Sequence, residues 1–484
     1  MTVNREMVSR RTFLKQAIAT SIITGVGTIS PSLAFGQMCE VQEMPRTLVN
    51  FMLQGGADFR YLFMPAPNHH DSNYPDLIWA ARRSLYNQEY QSYSEMFDAE
   101  YLLARDPISG LEFGISNHAE WLKTQFDEGN VAIVANAHCS RNRRHDQSIL
   151  NADAGEPDFE FLNFDRDGWG GRLVEHLGGN ANSVELGNSV STFNKGSKRG
   201  SRLVQVVHAE NMRQLSLPSP ELDNPASDRN ILARALRAYY DVRGQEVAAD
   251  KPANWPYHLY FQHNSALRSL GEIIDSRLNS CLPIPEELKQ LTLANGDFSQ
   301  QCRNLYDACQ VPGDLKLGTL SMSYGGWDTH NNEAAEIGQN LSDIFGTEGG
   351  LKTTMNAIEK LPSADTPAAD QLVFYFASDF GRQILANGAA GTDHGRGTYT
   401  MALGKQIKGG IYGEMFPERE TRPDEFGEVP LKTPGTDIEG LTSTDRILAN
   451  AVDWVAPGAG DTVFPNAGSS LLEDGVNLAK IFPA

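Results

Sequence analysis

The sequence predicts an α/β fold with a mainly parallel sheet covered by helices on both faces. Apolar runs that suit buried strands recur along the chain, and helical segments lie between them, which is typical of such sheets. Acidic residues and histidines directly follow several of these runs, at the position where open α/β sheets hold their ligands. We therefore expect functional groups at the carboxyl edge of the sheet.

The predicted strands are short, nearly continuous apolar runs, and the predicted helices have apolar residues spaced three and four apart. The strands are Thr47–Leu53, Val131–Asn136, Leu203–Val207, Leu317–Ser323, Leu372–Ala377 and Thr400–Leu403. The helices are Asp228–Arg243, Tyr257–Leu278, Asn332–Glu359 and Thr444–Trp454. We expect Thr444 to cap the last of these helices through its hydroxyl group.

Three further regions are polar and contain proline, which favours loops. Residues 66–130 and 209–226 are predicted to be insertions without strands, rather than sheet elements, and residues 418–440 a polar loop. After an N-terminal segment of 36 residues, the chain is predicted to form one domain over residues 37–484. Its few cysteines leave two readings open, because Cys281, Cys302 and Cys309 could supply one disulfide or remain buried thiols.

The N-terminal segment has the pattern of a twin-arginine export signal. Arg10 and Arg11 precede a mildly apolar stretch over residues 17–35, in which two glycines and a proline prevent a stable membrane-spanning helix. We expect the twin-arginine translocase to export the chain to the periplasm or the extracellular space, with residues 1–36 removed and no membrane span left. The alternative is an ordinary amphipathic N-terminal helix.

The charge of the chain limits its partners. The net charge is −20, and removal of residues 1–36 leaves 37 basic and 60 acidic residues, a balance of −23. So acidic a surface argues against nucleic acid or an anionic membrane as a partner.

Two glycine-rich loops each place an aspartate beside a histidine. Asp328 and His330 follow Gly325 and Gly326, while Asp393 and His394 lie between Gly391 and Gly395. Carboxylate and imidazole together suit zinc, manganese or iron better than calcium, so these loops predict a divalent metal site. The alternative for the first loop is that Asp328 caps the following helix and the imidazole is a surface group.

Two more aspartates directly follow predicted strands. Asp58 comes after the Gly55-Gly56 turn, although this pattern also fits a plain turn. Asp379 ends a buried strand, and because burial of a lone carboxylate is costly, it should meet a metal, Arg382 or helix amides.

A basic segment follows the strand Val131–Asn136. Three arginines, Arg141, Arg143 and Arg144, lie close to His145 and could bind phosphate or sulfate. The alternative is that they form ion pairs with nearby aspartates.

Taken together, these motifs resemble the bacterial family called domain of unknown function 1501, within the alkaline phosphatase and sulfatase superfamily. The resemblance runs from Leu48 to about Pro465 and includes the motifs Gly-Gly-Ala-Asp, Gly-Trp-Asp-Thr-His, Ser-Asp-Phe-Gly-Arg and Gly-Thr-Asp-His-Gly-Arg. It implies an alkaline phosphatase-like fold and one or two divalent ions (Zn, Mn or Mg/Ca). The metal ligands that it implies are Asp58, Asp328, His330, Asp379, Asp393 and His394, with Asp58 and Asp379 at the second ion.

The chain departs from the superfamily pattern at two positions. Phe380 stands where an imidazole ligand is usual, although the closer family also has phenylalanine there, and Ser140 is the nearest hydroxyl to the usual nucleophile position. We expect an exported hydrolase of small phosphate or sulfate esters, with Ser140, Arg144, His145 and Arg382 as catalytic groups. A binding or cell-surface structural protein on a degenerate version of the fold is the alternative.

Overall fold

The computed structural model describes residues 40–483, apart from 70–72, 87–89, 179–180, 197–204, 216–227, 251, 253–255 and 364. The strands in this part of the chain are β1 (Thr47–Leu53), β2 (Phe63–Pro65), β3 (Tyr101–Arg105), β4 (Glu112–Ser116), β5 (Val131–His138), β6 (Asn182–Glu185), β7 (Gln205–His208), β8 (Leu317–Tyr324), β9 (Leu372–Ser378), β10 (Gly381–Ala386), β11 (Thr392–Gly395), β12 (Gly397–Leu403), β13 (Gly410–Tyr412) and β14 (Thr442–Ser443).

Along the chain, the helices mostly connect successive strands. They are α1 (Phe59–Leu62), α2 (Tyr74–Arg82), α3 (Tyr93–Glu100), α4 (Glu120–Asp127), α5 (His145–Ala154), α6 (Trp169–His176), α7 (Asp228–Asp250), α8 (Pro256–Cys281), α9 (Glu286–Lys289), α10 (Gly296–Gln310), α11 (Pro312–Leu315), α12 (Glu333–Phe345), α13 (Gly350–Ile358), α14 (Thr444–Val455) and α15 (Ala459–Val463). Within the described residues, no helix is long and apolar enough to cross a membrane.

Among the described residues, the central sheet has nine strands and is mostly parallel. Its order is β13, β5, β12, β9, β1, β8, β6 and β7, with β14 also paired to β5. Only β12 runs against its neighbours, since it is antiparallel to both β5 and β9. The carboxyl ends of β1, β5, β8 and β9 therefore meet at one edge, and the loop that leads into β12 reaches the same edge.

Each face of the sheet is covered by its own apolar cluster. On one face, Phe51 of β1 and Phe376 of β9 pack with buried residues of α4, α10, α12 and α13. On the other face, Leu48 and Tyr375 pack with residues of α6, α14 and α15. Side chains alternate between the two clusters because successive residues of a strand point to opposite faces. The predicted parallel sheet with helices on both faces is thus confirmed.

All six predicted strands are present, although β7 is described only from Gln205 onward. The short strands β6, β13 and β14 were not predicted, because a few residues of mixed polarity give no clear alternation. The helix predicted over Asn332–Glu359 is two helices, since Gly346 ends α12 and Gly349 precedes α13. The predicted cap at Thr444 is wrong: Thr444 is the first helical residue, and Ser443 holds the cap position without a side-chain hydrogen bond.

The prediction that residues 66–130 contain no sheet elements is also wrong. β3 and β4 lie in this region and form a second, antiparallel sheet with β2. Phe113, Ile115 and Trp121 join the main core, so the region is packed into the molecule. Of residues 209–226, only those up to 215 are described, and the predicted export signal lies outside the described residues.

Two remaining expectations concern loops and cysteines. Residues 418–440 are irregular apart from the single-turn helices Glu418–Glu420 and Pro430–Lys432, as predicted. Cys302 and Cys309 are buried free thiols, while the side chain of Cys281 lies outside the described residues.

Candidate metal centre

The loop after β8 carries Asp328 and His330, and two glycines hold it in place. Gly55, at φ +122°, lies so close that an added Cβ would be 2.5 Å from the backbone nitrogen of Asp328. A Cβ on Gly391 would be 2.2 Å from the carbonyl carbon of His330. Only glycine allows backbones to approach this closely, so these two positions bring three loops together.

Three side-chain atoms from two of these loops converge at the carboxyl edge of the sheet. Oδ1 of Asp328 lies 2.9 Å from Nε2 of His394 and 3.1 Å from Nε2 of His330. The two Nε2 atoms are 2.9 Å apart. The circle through these atoms has a radius of about 1.7 Å, and because zinc ligands lie at roughly 2.0–2.2 Å, a cation just above their plane would contact all three. The three residues thus form a triangle of candidate ligands.

The outer nitrogens of both rings face acceptors. Nδ1 of His330 lies 3.1 Å from Oδ1 of Asp393, and Nδ1 of His394 lies 2.9 Å from the carbonyl oxygen of Arg143. We assign the proton of each neutral ring to Nδ1, because a carboxylate and a carbonyl can only accept it. Both Nε2 atoms then present lone pairs to the same point beside a carboxylate. This arrangement fits a cation, and it makes Asp393 the partner that orients His330.

His145, the first residue of α5, adds a third imidazole. Its Nδ1 donates to Oδ2 of Asp379 at 2.6 Å. Its Nε2 lies 3.6 Å from Oδ2 of Asp328 and has no hydrogen-bond partner in the part of the chain that the structure describes. The hydrogen bond to Asp379 raises the pKa of His145 above its usual value, although burial acts against it. His145, Asp328 and His394 offer ligand atoms that all lie within 4.8 Å of one another.

Asp379 and Phe380 support these rings from below. Asp379 is fully buried, and its Oδ1 accepts hydrogen bonds from the amides of Gly55 and Gly56 at 3.0 and 2.7 Å. The ring of Phe380 lies 4.7 Å from that of His145 and 4.5 Å from that of His394. Among the described residues, the partners of Asp379 are turn amides, an imidazole and the hydroxyl of Ser378. Of the partners that the sequence suggested, helix amides and Arg382 are not used, and a metal stays a prediction.

The triangle of candidate ligands faces solvent on one side. The side chain of Asp328 is 48% exposed and that of His330 is 41% exposed. Partial burial tends to raise the pKa of Asp328, but its contact with His394 and the hydrogen bond and charge of Arg382 lower it to about 2. The carboxylate is therefore ionised at neutral pH. Asp328 does not cap the following helix, whose cap position is held by Asn332.

Asp58 is not brought into this cluster. Its Oδ1 accepts from the amides of Arg60 and Tyr61 at 2.8 and 3.1 Å, which caps α1, and its Oδ2 pairs with buried Arg82. Glu333 lies 3.6 Å from the same guanidinium. Asp58 is thus held in a buried ion-pair network, separate from the histidines.

Arg382 is buried and fully engaged with the protein. Its guanidinium donates to the carbonyl oxygens of Gly55, Gly56, Trp327 and Thr392 at 2.5–3.0 Å, and to Oδ1 of Asp328 at 2.8 Å. It therefore joins β11 to the loops after β1 and β8, and most of its donors are used within the protein.

The remaining predicted catalytic groups lie around the cluster rather than in it. Arg144 is exposed and pairs with Asp146 at 2.6 Å. Ser140 is completely buried and accepts a hydrogen bond from Ser148 at 2.9 Å, so its hydroxyl does not face the triangle. Arg141 pairs with Asp158 and Arg143 with Asp437, each at 2.6 Å, which matches the alternative that these arginines form ion pairs.

Sequence reasoning missed two groups that position the site. Asn387 donates to the carbonyl oxygen of His330 at 2.9 Å and to Asp393 at 3.2 Å. Glu333 accepts from the hydroxyl of Thr392 at 2.7 Å, which joins α12 to β11. In the sequence, both residues look like ordinary polar residues of a loop or a helix end. Only the folded structure, which brings distant segments together, shows that they contact the site.

Comparison with known proteins gives a family over part of the chain. Residues 315–444, which carry Asp328, His330, Asp379 and His394, match the model of a family described as protein of unknown function (DUF1501). No curated protein matches the chain. The match supports membership of the DUF1501 domain family for this part of the chain.

Proposed function

We propose that this chain is an exported, metal-dependent hydrolase of small phosphate or sulfate esters, built on an alkaline phosphatase-like fold. The observation that carries the proposal is the triangle of Asp328 Oδ1, His330 Nε2 and His394 Nε2 on the open side of the sheet edge. Two imidazoles and one carboxylate are a donor set found in catalytic zinc sites, which keep a position open for water or substrate.

The donor set favours one ion of zinc or manganese. Imidazole ligands suit these metals, whereas magnesium and calcium prefer shells of oxygen. A bound ion would polarise an ester oxygen and lower the pKa of a water molecule at the site. Asp58 is engaged with Arg82, and Asp379 with His145 and two amides, which favours a single ion at the triangle.

His145 is placed to handle a proton at this site. Asp379 fixes the orientation of its ring, and its unpartnered Nε2 faces Asp328 on the side of the triangle. Such an oriented imidazole is suited to accept a proton from an attacking group. Because Ser140 is buried and accepts a hydrogen bond from Ser148, water is the more suitable attacking group.

The rival function is a binding or structural protein that retains the fold without turnover. The observation that favours it is that the arginines near the cluster already have partners in the protein. Arg143 and Arg144 are both paired with aspartates, and Arg382 is buried among carbonyl groups. All three groups thus use part of their hydrogen-bonding capacity within the protein, which weakens the case that they bind the charged oxygens of an ester.

Metal content and ester turnover together distinguish the two functions. Purified full-length protein loaded with Zn²⁺ or Mn²⁺ should contain about one ion per chain and should hydrolyse a nitrophenyl phosphate or sulfate. The double variant Asp328→Ala with His394→Ala should lose both the metal and the activity, while the surface variant Asp127→Ala should keep both. Metal without turnover would favour the rival function, and an unchanged metal content in the double variant would contradict the site itself.

The proposal places the protein in the periplasm or outside the cell. It rests on Arg10 and Arg11 and the weakly apolar stretch behind them. A twin-arginine route would let the protein fold and bind its metal before export. Replacement of both arginines by lysine should leave the protein in the cytoplasmic fraction, and normal export of that variant would refute the assignment.

A further inference from the structure

A groove of about 650 Å³ lies beside the candidate metal centre. Its charged lining consists of two arginines, Arg141 and Arg396, with the acids Asp158, Asp437 and Glu439. Ile438 and Leu471 add apolar surface. We call this feature the arginine groove.

The arginine groove is built by the same segments as the metal centre. Arg396 follows His394 by two residues, so β11 and its loop supply both a candidate ligand and a groove wall. Arg143 provides the carbonyl that accepts from His394, and its guanidinium pairs with Asp437 at 2.6 and 2.7 Å. A molecule bound at the centre is therefore within reach of the groove.

The acids of the groove already have partners in the protein. Asp437 is largely buried and accepts from both Arg143 and Nε of Arg396, the latter at 2.7 Å. Asp158 interacts with Nε of Arg141 at 2.6 Å and Nε2 of His138 at 3.0 Å. Glu439 pairs with Arg419 at 2.9 Å. The carboxylates thus hold the arginines in place, and each of them is paired with at least one guanidinium group.

The arginines, in contrast, have unused donors. Arg396 is 59% exposed, and its two terminal nitrogens have no hydrogen-bond partner among the described residues. Arg141 is 57% exposed, and beyond its Nε contact it has only a 3.7 Å contact to Glu160. Arg396 and Arg141 therefore offer the groove unused guanidinium donors, which match the geometry of an oxyanion.

We propose that the arginine groove binds a second anionic group of the substrate, a carboxylate, sulfate or phosphate carried beyond the reacting ester. The inference rests on the proposed hydrolase function and narrows its substrates to esters with two separate anionic groups. Arg396 holds the second anion, Arg141 assists, and Ile438 and Leu471 contact the part that connects the two groups.

Two non-hydrolysable probes test this inference by binding alone. The first, 4-phosphonobutyrate, carries a phosphonate and a carboxylate, and the second, butylphosphonate, lacks the carboxylate. Calorimetry on the metal-loaded full chain should show about tenfold tighter binding of 4-phosphonobutyrate, the size expected of one charge-assisted contact. Arg396→Gln should abolish this preference without changing the affinity for butylphosphonate. Arg141→Gln should reduce it, and the exposed control Arg422→Gln should preserve it.

The outcomes separate this inference from the hydrolase function. Equal affinities in the unaltered protein, or an unchanged preference in Arg396→Gln, would overturn the groove assignment even if the protein hydrolyses esters. A preference that depends on Arg396 in a protein without turnover would support the groove and count against the hydrolase. Because Arg396 is a surface residue, its replacement should not prevent folding, which circular dichroism can verify.

Discussion

At the scale of single residues, the site depends on the direction of each imidazole. Nδ1 of His330 faces Asp393 and Nδ1 of His394 faces a carbonyl group, so the Nε2 atoms turn inward. The sequence predicts Asp393 as a metal ligand, but it lies behind His330 and also accepts from Asn387. Its role in the proposed site is therefore to orient a ligand.

Replacement of Asp393 by asparagine tests this role. The Asp393→Asn variant keeps the size of the side chain but removes the charge that holds the ring proton on Nδ1, so metal affinity should fall about 10- to 100-fold. Competition with a fluorescent chelator measures the dissociation constant. The surface variant Asp127→Asn serves as the control. An affinity equal to that of the unaltered protein would show that Asp393 has no part in orienting His330.

The pairing of Asp with His in two glycine-rich loops was enough to predict Asp328, His330 and His394 as one group, and the structure brings these residues together. The assignments of Asp58 and Arg382 could not be tested by sequence, because each depends on partners far along the chain. Asp58 pairs with Arg82, and Arg382 donates to carbonyl groups of the loops.

At the scale of elements, the turn after β1 positions the loop after β8. Gly55 and Gly56 donate to Asp379 and lie against backbone or ring atoms on their other side. Gly325, in the neighbouring loop, has no heavy atom near its potential Cβ and no positive φ. Two glycines of similar sequence context therefore have different structural requirements.

This difference gives a matched pair of variants. Gly55→Ala should destabilise the protein by roughly 1–3 kcal/mol or more, because its φ and its contact with Asp328 both exclude a Cβ. It should also lower the metal content by displacing the loop. Gly325→Ala should change both quantities little. Urea denaturation and elemental analysis measure the two effects, and equal behaviour of the two variants would contradict the role given to Gly55.

Strand prediction succeeded where burial on both faces makes the sequence almost continuously apolar, as in β1, β5 and β9. It failed for β3 and β4, which are short strands within a region rich in polar residues. β3 also mixes buried and exposed residues, whereas β4 is mostly buried. The break between α12 and α13 was also missed, since the apolar spacing continues across Gly346 and Gly349.

At the scale of the whole molecule, a buried network joins α1, α2 and α12 beneath the metal centre. Asp58 and Glu333 share the single guanidinium of Arg82, and all three side chains are almost completely buried. Burial raises the pKa of Glu333 well above its usual value, and the charge of Asp58 raises it further. Folding therefore favours a protonated Glu333, as expected for two carboxylates that face one cation.

This network should make stability depend on pH. Because the pKa of Glu333 is raised in the folded state, its contribution to the free energy of unfolding is complete below about pH 4.5, the pKa in the unfolded state. This contribution is lost as the pH rises toward the pKa of the folded state. The loss is about 1.4 kcal/mol per pH unit within that window. Glu333→Gln should remove this component, so that the free energy of unfolding falls less between pH 5 and pH 8.

The exposed neighbour Glu336 provides the control for this prediction. Glu336→Gln should keep the pH dependence of the unaltered protein, because its side chain lies at the surface of the same helix. Urea denaturation at several pH values measures each slope. An identical slope in Glu333→Gln would mean that Glu333 is ionised in the folded protein.

The sequence by itself determined the α/β class, the long buried strands and the aspartate–histidine loops, because these depend on local polarity and on glycine. Only the tertiary structure decided which atoms meet. His145 begins α5, Asp328 follows β8 and His394 lies in β11, and the order of β5, β8, β9 and β12 brings these segments to one edge. Asp58 pairs with Arg82, and Arg382 donates to carbonyl groups, because a buried charge has to be compensated by nearby groups. These partners come from distant parts of the chain.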